Sequence, residues 1–119
     1  NHLFYISTKD GSQNIYLLEL ESKNTTKITD FNKQEAISGL SYDLFNNRLL
    51  YDITTHHFKD IYFISLSDST SGQLLSEKLW DERQSTHYKN SIIYSDDRTG
   101  VFNLYYLNSK SLSLESCFL

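Results

Sequence analysis

Short apolar runs alternate with polar turns along the whole chain, and no segment sustains the apolar spacing of an amphipathic helix. The runs are rich in Tyr, Phe, Ile and Leu and are bounded by Gly, Asn, Asp and Ser, a pattern typical of β-strands joined by turns. Residues 36–41 predict one strand, Asn46 and Asn47 a turn, and residues 48–51 the next strand. The pattern therefore predicts an all-β chain.

An internal repeat organises these strands. An aliphatic or aromatic residue followed by Tyr occurs three times, at intervals of 46 and 43 residues, and a second Tyr follows each one 11 residues later. That period is typical of β-propeller blades. We expect the two tyrosines of each copy to occupy equivalent positions; the pairs are Tyr5 and Tyr16, Tyr51 and Tyr62, and Tyr94 and Tyr105.

The polar stretch between the two tyrosines of a copy predicts a hairpin turn. Gly11 and Gly100 fall at equivalent places, as expected where the backbone takes a positive φ, whereas the second copy has His57 there. We predict third strands over 27–29 and 78–80, the latter preceded by an inserted loop over 67–72.

The predicted fold is about three four-stranded antiparallel blades that form part of a larger propeller. We expect one partial propeller domain over 1–119, with repeat copies at approximately 1–35, 36–82 and 83–119. A single blade cannot bury both of its faces, so neighbouring blades must cover them. Residue 3 already falls in the second strand of a blade, so we expect the remaining blades to come from a longer parent chain or from a second copy.

Composition and charge narrow the functional classes. The 119 residues are 39% hydrophobic and 14% aromatic, which predicts a folded domain, and the net charge of -4 comes from scattered acids. Nothing resembles the basic surface that nucleic acid binding requires. No apolar run approaches the roughly 20 residues of a membrane helix. The single cysteine, Cys117, excludes an intrachain disulfide.

Two groups of residues are candidates for metal binding, and in each the turn interpretation is favoured. His56 and His57 are adjacent, so on an extended strand their rings would point to opposite faces, and we expect solvated turn residues. Asp96 and Asp97, like Asp10, could supply oxygen ligands to Ca²⁺, but acidic side chains also cap their own turns. We therefore predict no metal and no cofactor.

No catalytic pattern is present, because the chain lacks a Gly-x-Ser-x-Gly elbow and its acids are scattered. We predict that the chain is not an enzyme. Trp80 to Arg83 are expected in a loop at a blade end, where Trp and Arg are common interface anchors. Trp80, Arg83, His56 and His57 form a possible interaction surface, although for Trp80 packing within its blade is the favoured interpretation.

The repeat resembles the TolB-type, WD40-like propeller repeat. That repeat runs as an aliphatic-aromatic strand, an Asp-Gly turn, an Asn-Ile-Tyr strand and a Leu-Thr ending; the matches here are residues 5–11, 14–16, 28–29, 41–43, 94–100 and 103–105. Tyr42 stands where the repeat has proline, and residues 86–89 replace its Ser-Pro-Asp-Gly.

This resemblance implies a non-catalytic protein-interaction scaffold, part of a larger periplasmic, cell-envelope or secreted protein. A protein partner is then expected, with no membrane insertion by this segment. The alternative is an accessory propeller domain of a peptidase or carbohydrate-processing enzyme, since one fold serves many functions.

Overall fold

A computed structural model describes residues 1–55, 58–75, 80–108 and 113–116, and all regular structure in these ranges is β. The chain divides into two compact units, Asn1–Ile37 and Ser38–Leu119, which are described separately below. The strands are β1 (His2–Ser7), β2 (Asn14–Glu19), β3 (Thr25–Lys27), β4 (Ala36–Asp43), β5 (Arg48–Thr55), β6 (Phe58–Ser65), β7 (Ser71–Leu75), β8 (Glu82–Tyr88), β9 (Ser91–Asp96), β10 (Asn103–Asn108) and β11 (Ser113–Ser116).

The strands form three antiparallel sheets in which neighbours in sequence are neighbours in space. The first unit holds β1-β2-β3, and the second holds β4-β5-β6-β7 and β8-β9-β10-β11. The predicted all-β fold of antiparallel sheets is confirmed, with three strands in the first sheet and four in each of the others.

The tyrosines occupy the same register in every sheet, as predicted. Each pair faces directly across two neighbouring strands, β1 and β2, β5 and β6, or β9 and β10, and the rings stack. The ring centroids are separated by 5.6 Å for Tyr5 and Tyr16, by 6.1 Å for Tyr51 and Tyr62, and by 6.1 Å for Tyr94 and Tyr105. The 46- and 43-residue intervals therefore mark a true structural repeat.

The two glycine turns are also equivalent. Gly11 and Gly100 have φ angles of 95° and 87°, which L side chains rarely adopt. The Gly11 amide donates to the Thr8 carbonyl at 2.9 Å, and the Gly100 amide donates to the Asp97 carbonyl at 2.8 Å. The predicted equivalence is confirmed, and His57 lies outside the described residues.

The third strand predicted over 78–80 falls largely outside the described residues, since 76–79 are not described, and Trp80 itself is not in a strand. The strand that pairs with β6 is β7, so the predicted loop over 67–72 was wrong at residues 71 and 72. Gly72 explains the strand, because a Cβ there would approach the Phe63 ring to 3.2 Å, so the missing side chain lets β7 pack against β6. The first copy's third strand, β3, lies two residues earlier than predicted.

The core of the second unit joins its two sheets. Side chains from the middle strands of both sheets are almost completely buried against one another; they are Leu50, Ile61, Ile92, Tyr94, Tyr105 and Leu107. This packing is the apolar seam that adjacent propeller blades require.

Asp52 crosses that seam as a buried charge. Its side chain is 1% exposed, and Oδ2 accepts a 2.9 Å hydrogen bond from the Gln84 amide of the other sheet. Burial raises the pKa of Asp52 to about 6, and the hydrogen bond from Gln84 and the charges of Lys59 and Arg83 counter this only in part. The seam therefore contains a carboxyl group whose pKa burial holds above the usual range.

Gly39 of β4 also lies close to the Asp52 carboxylate. A Cβ at Gly39 would lie 2.3 Å from Asp52 Oδ2, and the Gly39 φ angle is 62°. Gln84 also has a positive φ, 57°, so both first strands turn their backbone in the same way beside Asp52. The carboxylate has little freedom to move, because it is buried and bonded to the other sheet.

Replacement of Gly39 by Ala is expected to lower the free energy of unfolding by about 2 to 4 kcal/mol, because the new methyl group overlaps the held carboxylate. Gly100→Ala is the matched control: its φ is also positive, but no atom lies within 4 Å of the added Cβ. It should cost only the backbone strain of about 1 to 2 kcal/mol. Urea unfolding of both variants tests the difference, and equal losses would contradict the contact with Asp52.

Replacement of Asp52 by Asn is expected to alter how stability depends on pH. Because the pKa of Asp52 is raised on folding, the folded chain binds a proton more tightly than the unfolded chain. Its contribution to stability is therefore fully present below about pH 4 and is lost as the pH rises through about 6. Relative to the Asn variant, the wild-type chain should lose about 1 to 3 kcal/mol between those limits. Urea unfolding at a series of pH values measures this, and parallel pH profiles would contradict it.

Candidate functional site

The candidate site surrounds the β9–β10 turn, residues 97–102, and is anchored by Arg98. Arg98 Nε donates to Asp96 Oδ2 at 2.8 Å and to Oδ1 at 3.0 Å, and Nη2 donates to the same carboxylate and, at 3.2 Å, to the Tyr94 hydroxyl. The guanidinium also lies 4.0 Å from the Tyr105 ring centroid. The Asp96 carboxylate raises the pKa of Arg98, and burial raises the pKa of Tyr94. The turn is therefore rigidly attached to the blade.

Trp80 lies half-buried before β8, close to this anchor. The Arg98 guanidinium is 5.5 Å from its ring centroid, within the range of cation–π contacts. Its buried Nε1 has no acceptor among the described residues. These contacts favour the packing role expected of Trp80, and the exposed part of the ring remains available at the surface.

The predicted loop over Trp80 to Arg83 was wrong in its second half. Glu82 and Arg83 belong to β8, where they pair in register with Asp96 and Ser95 of β9. Glu82 is fully buried, so it contributes no surface. These two residues belong to a strand because their pairing with β9 buries Glu82. That pairing cannot be inferred from the spacing of residues in the sequence.

Arg83 stays half-buried in β8 and reaches the β9–β10 turn. Its guanidinium carbon lies 3.6 Å from the Phe102 ring centroid, a close cation–π stack. Within the described part of the chain, no carboxylate forms an ion pair with Arg83. The structure thus brings Trp80 and Arg83 to the same turn, while His56 and His57 lie outside the described residues.

Two site residues were missed by sequence reasoning. Val101 and Phe102 follow Gly100 in the turn and are 64% and 44% exposed. The signal was present in the repeat, because the equivalent pair after Gly11 is the polar Ser12-Gln13. Alignment of the two turns residue by residue would have identified the apolar pair.

The acidic turn residues considered for calcium are bonded to protein donors. Asp97 Oδ1 accepts the Asp81 amide at 2.9 Å, and Asp81 Oδ1 accepts the Lys59 amide at 2.9 Å. Asp10 accepts the Tyr16 hydroxyl at 2.7 Å and lies 3.5 Å from the Lys27 ammonium. Of these acids, only Asp96 caps its own turn, because its Oδ1 accepts the Arg98 amide at 3.1 Å, whereas Asp97 and Asp10 are bonded to other segments. Among residues whose side chains are described, no three His, Cys, Asp or Glu side chains cluster as metal ligands would.

The arrangement presents an aromatic and cationic surface on a fixed turn. Exposed apolar side chains beside an arginine are typical of protein-binding surfaces. Within the described residues, no helix is long and apolar enough to cross a membrane.

Comparison with solved structures places the fold. No protein family and no curated protein sequence matches the chain. TolB from Acinetobacter baumannii superposes with a TM-score of 0.76 at 20% identity, over 97% of this chain and 29% of that one. A putative TolB from Agrobacterium tumefaciens gives 0.75 at 10% identity, over 97% and 44%. The chain thus spans less than half the length of either structure.

Peptidase structures show a similar likeness. The tricorn protease superposes with a TM-score of 0.64 at 16% identity, over 88% of this chain and 9% of that one. A prolyl endopeptidase gives 0.72 at 10% identity, over 99% and 20%. At such identities the likeness concerns the fold alone. The predicted resemblance is confirmed at that level: the chain has the fold of part of a TolB-type β-propeller.

Proposed function

We propose that this chain is a non-catalytic β-propeller segment that acts as a protein-interaction scaffold. The observation that most strongly supports this function is the exposed pair Val101 and Phe102, which a rigid turn holds beside Trp80 and Arg83. Exposed apolar residues next to aromatic and arginine anchors suit a protein partner better than a small polar ligand.

The roles of three buried carboxylates support a structural rather than catalytic use of the acids. Asp43 binds Arg48 at 2.8 Å and the Asn46 side-chain amide at 2.8 Å, and Asp96 binds Arg98. Asp52 accepts the Gln84 amide across the seam. Buried carboxylates occupied in this way stabilise strands and turns, and they are poorly placed to reach a substrate.

A second surface supports association with further blades. Ile61 is fully buried in the seam, whereas its repeat equivalent Leu104 is 37% exposed. On the last sheet, an open cavity of about 310 Å³ is lined by Tyr88, Ser91, Ile93 and Tyr106. In the proposal this face is covered by a further blade, from a longer parent chain or from a second copy, as in any closed propeller.

The proposed setting is a larger TolB-like protein of the periplasm, the cell envelope or the extracellular space. It follows from the fold resemblance and from no separate feature of the described residues. The competing assignment is an accessory propeller of a peptidase or carbohydrate-processing enzyme.

Site-specific photo-crosslinking tests the scaffold. A photoreactive amino acid at position 101 of the full-length gene product, irradiated in the cells that make it, should yield adducts with one or a few defined proteins. The same residue at position 12, the equivalent site of the polar turn, should yield none, because Ser12 lacks apolar neighbours in its turn. Mass spectrometry of the adducts identifies the partner.

Equal crosslinking from both positions, or no protein adduct from position 101, would contradict the scaffold. Labelling of the full-length product by a fluorophosphonate, which reacts with serine hydrolase nucleophiles, would instead support the accessory-domain assignment.

A further inference from the structure

The β9–β10 turn can be compared with the equivalent β1–β2 turn of the same chain. In the equivalent β1–β2 turn, residues 8–13, Lys9 lies 4.1 Å from the Tyr16 ring centroid, just as Arg98 lies 4.0 Å from that of Tyr105. Both turns also share the glycine with positive φ and its amide hydrogen bond. The same turn conformation is therefore built with or without apolar residues after the glycine.

The two residues after the glycine differ in what they do for the fold. Gln13 has a structural task, because its Oε1 accepts the Ile37 amide at 2.6 Å. Phe102 instead supports the guanidinium of Arg83 and remains 44% exposed. Since Ser12-Gln13 shows that the turn does not need an apolar pair, Val101 and Phe102 have a role at the surface.

Arg83 adds a charge to that apolar surface. Stacking on Phe102 orients the guanidinium plane, and a stacked guanidinium can still donate hydrogen bonds from its edge. No carboxylate of the described chain forms an ion pair with it. A planar donor of this kind matches a carboxylate.

We propose that the Val101-Phe102-Arg83 surface binds a protein segment in which an Asp or Glu adjoins a large apolar side chain. The apolar side chain packs on Val101 and Phe102, and the carboxylate accepts hydrogen bonds from Arg83. The proposal rests on the scaffold function proposed above and specifies the chemistry of its partner.

The neighbouring charges leave Arg83 as the cation for this contact. Arg98 is neutralised by Asp96, and Lys59 Nζ donates to Ser38 Oγ at 3.2 Å. The buried Asp52 interacts electrostatically with Arg83, but among the described residues the two form no ion pair. Asp81 and Asp97 each accept a backbone amide, which holds their carboxylates in the turn region. Complementarity at Arg83 therefore favours an acidic over a basic partner.

A pair of model peptides tests this chemistry on the full chain. The probes are acetyl-Gly-Glu-Leu-Phe-Glu-Gly-amide and the same peptide with Gln in place of Glu. Heteronuclear NMR titration follows the Arg83 Nε–H and Val101 methyl resonances. The acidic peptide should shift both resonances saturably and bind about fivefold more tightly than the Gln peptide, as expected for one partly exposed ion pair.

Two variants assign the contact to its residues. V101S/F102Q installs the pair that the β1–β2 turn already holds, so it should fold and weaken binding of both peptides about tenfold. Arg83→Gln should abolish the preference for Glu over Gln while the Val101 shift persists. Lys9→Gln removes the cation of the other turn, which is the equivalent of Arg98, and should change neither affinity.

Equal binding of the two peptides to the wild-type chain, or absence of saturable shifts at Arg83 and Val101, would overturn the proposed chemistry. So would an unchanged Glu preference in Arg83→Gln, which keeps the test decisive even where V101S/F102Q does not fold. The scaffold function would survive these outcomes if position 101 still crosslinks to a partner, so the two proposals fail separately.

Discussion

The stacked tyrosine pair at the centre of each repeat sets the conditions for the rest of the blade. Two rings facing each other across neighbouring strands bury a large apolar area, but a buried phenol hydroxyl needs a polar partner. In the first and last repeats that partner comes from the hairpin turn between the two tyrosines, as Asp10 for Tyr16 and Arg98 for Tyr94. The turn must therefore approach the rings closely, which the glycine with positive φ permits. The need for a polar partner to the buried hydroxyl thus links the strand register and the turn conformation. It also links the cation that lies over the second tyrosine ring, Lys9 over Tyr16 and Arg98 over Tyr105.

Much of this arrangement could be predicted from the sequence, because it is local and repeated. The tyrosine spacing and Gly11 and Gly100 identified register and turns without any knowledge of the fold. The errors occurred where tertiary contacts outweigh local pattern. Residues 71 and 72 look like the end of a loop, yet Gly72 makes room for Phe63 and the segment pairs as a strand. Likewise, no residue near Asp52 in the sequence indicates that its carboxylate accepts a hydrogen bond from the Gln84 amide, 32 residues away.

The candidate site was predicted only in part, for the same reason. Trp80 and Arg83 were recognised by residue type, which is informative because Trp and Arg are common at interfaces. Phe102 was missed because an apolar residue near a strand normally indicates core. The exposure of Phe102 depends on where the turn places its ring. The ring then forms a shared surface with Arg83, whose guanidinium stacks on it. Residue type thus identified the anchors, whereas the structure was needed to identify what they anchor.

Repetition separates the residues that build the blade from those that are free to vary. A position that keeps its character in each copy, such as the stacked tyrosines, meets a demand of the fold. A position that changes character while the backbone stays the same does not. Residues 101 and 102 are of the second kind, because Ser12 and Gln13 form the same turn. The exposed apolar side chains there add nothing that the turn requires, and water solvates them poorly. In the proposed scaffold a partner covers them, and the preorganised turn beneath lowers the entropy cost of binding it.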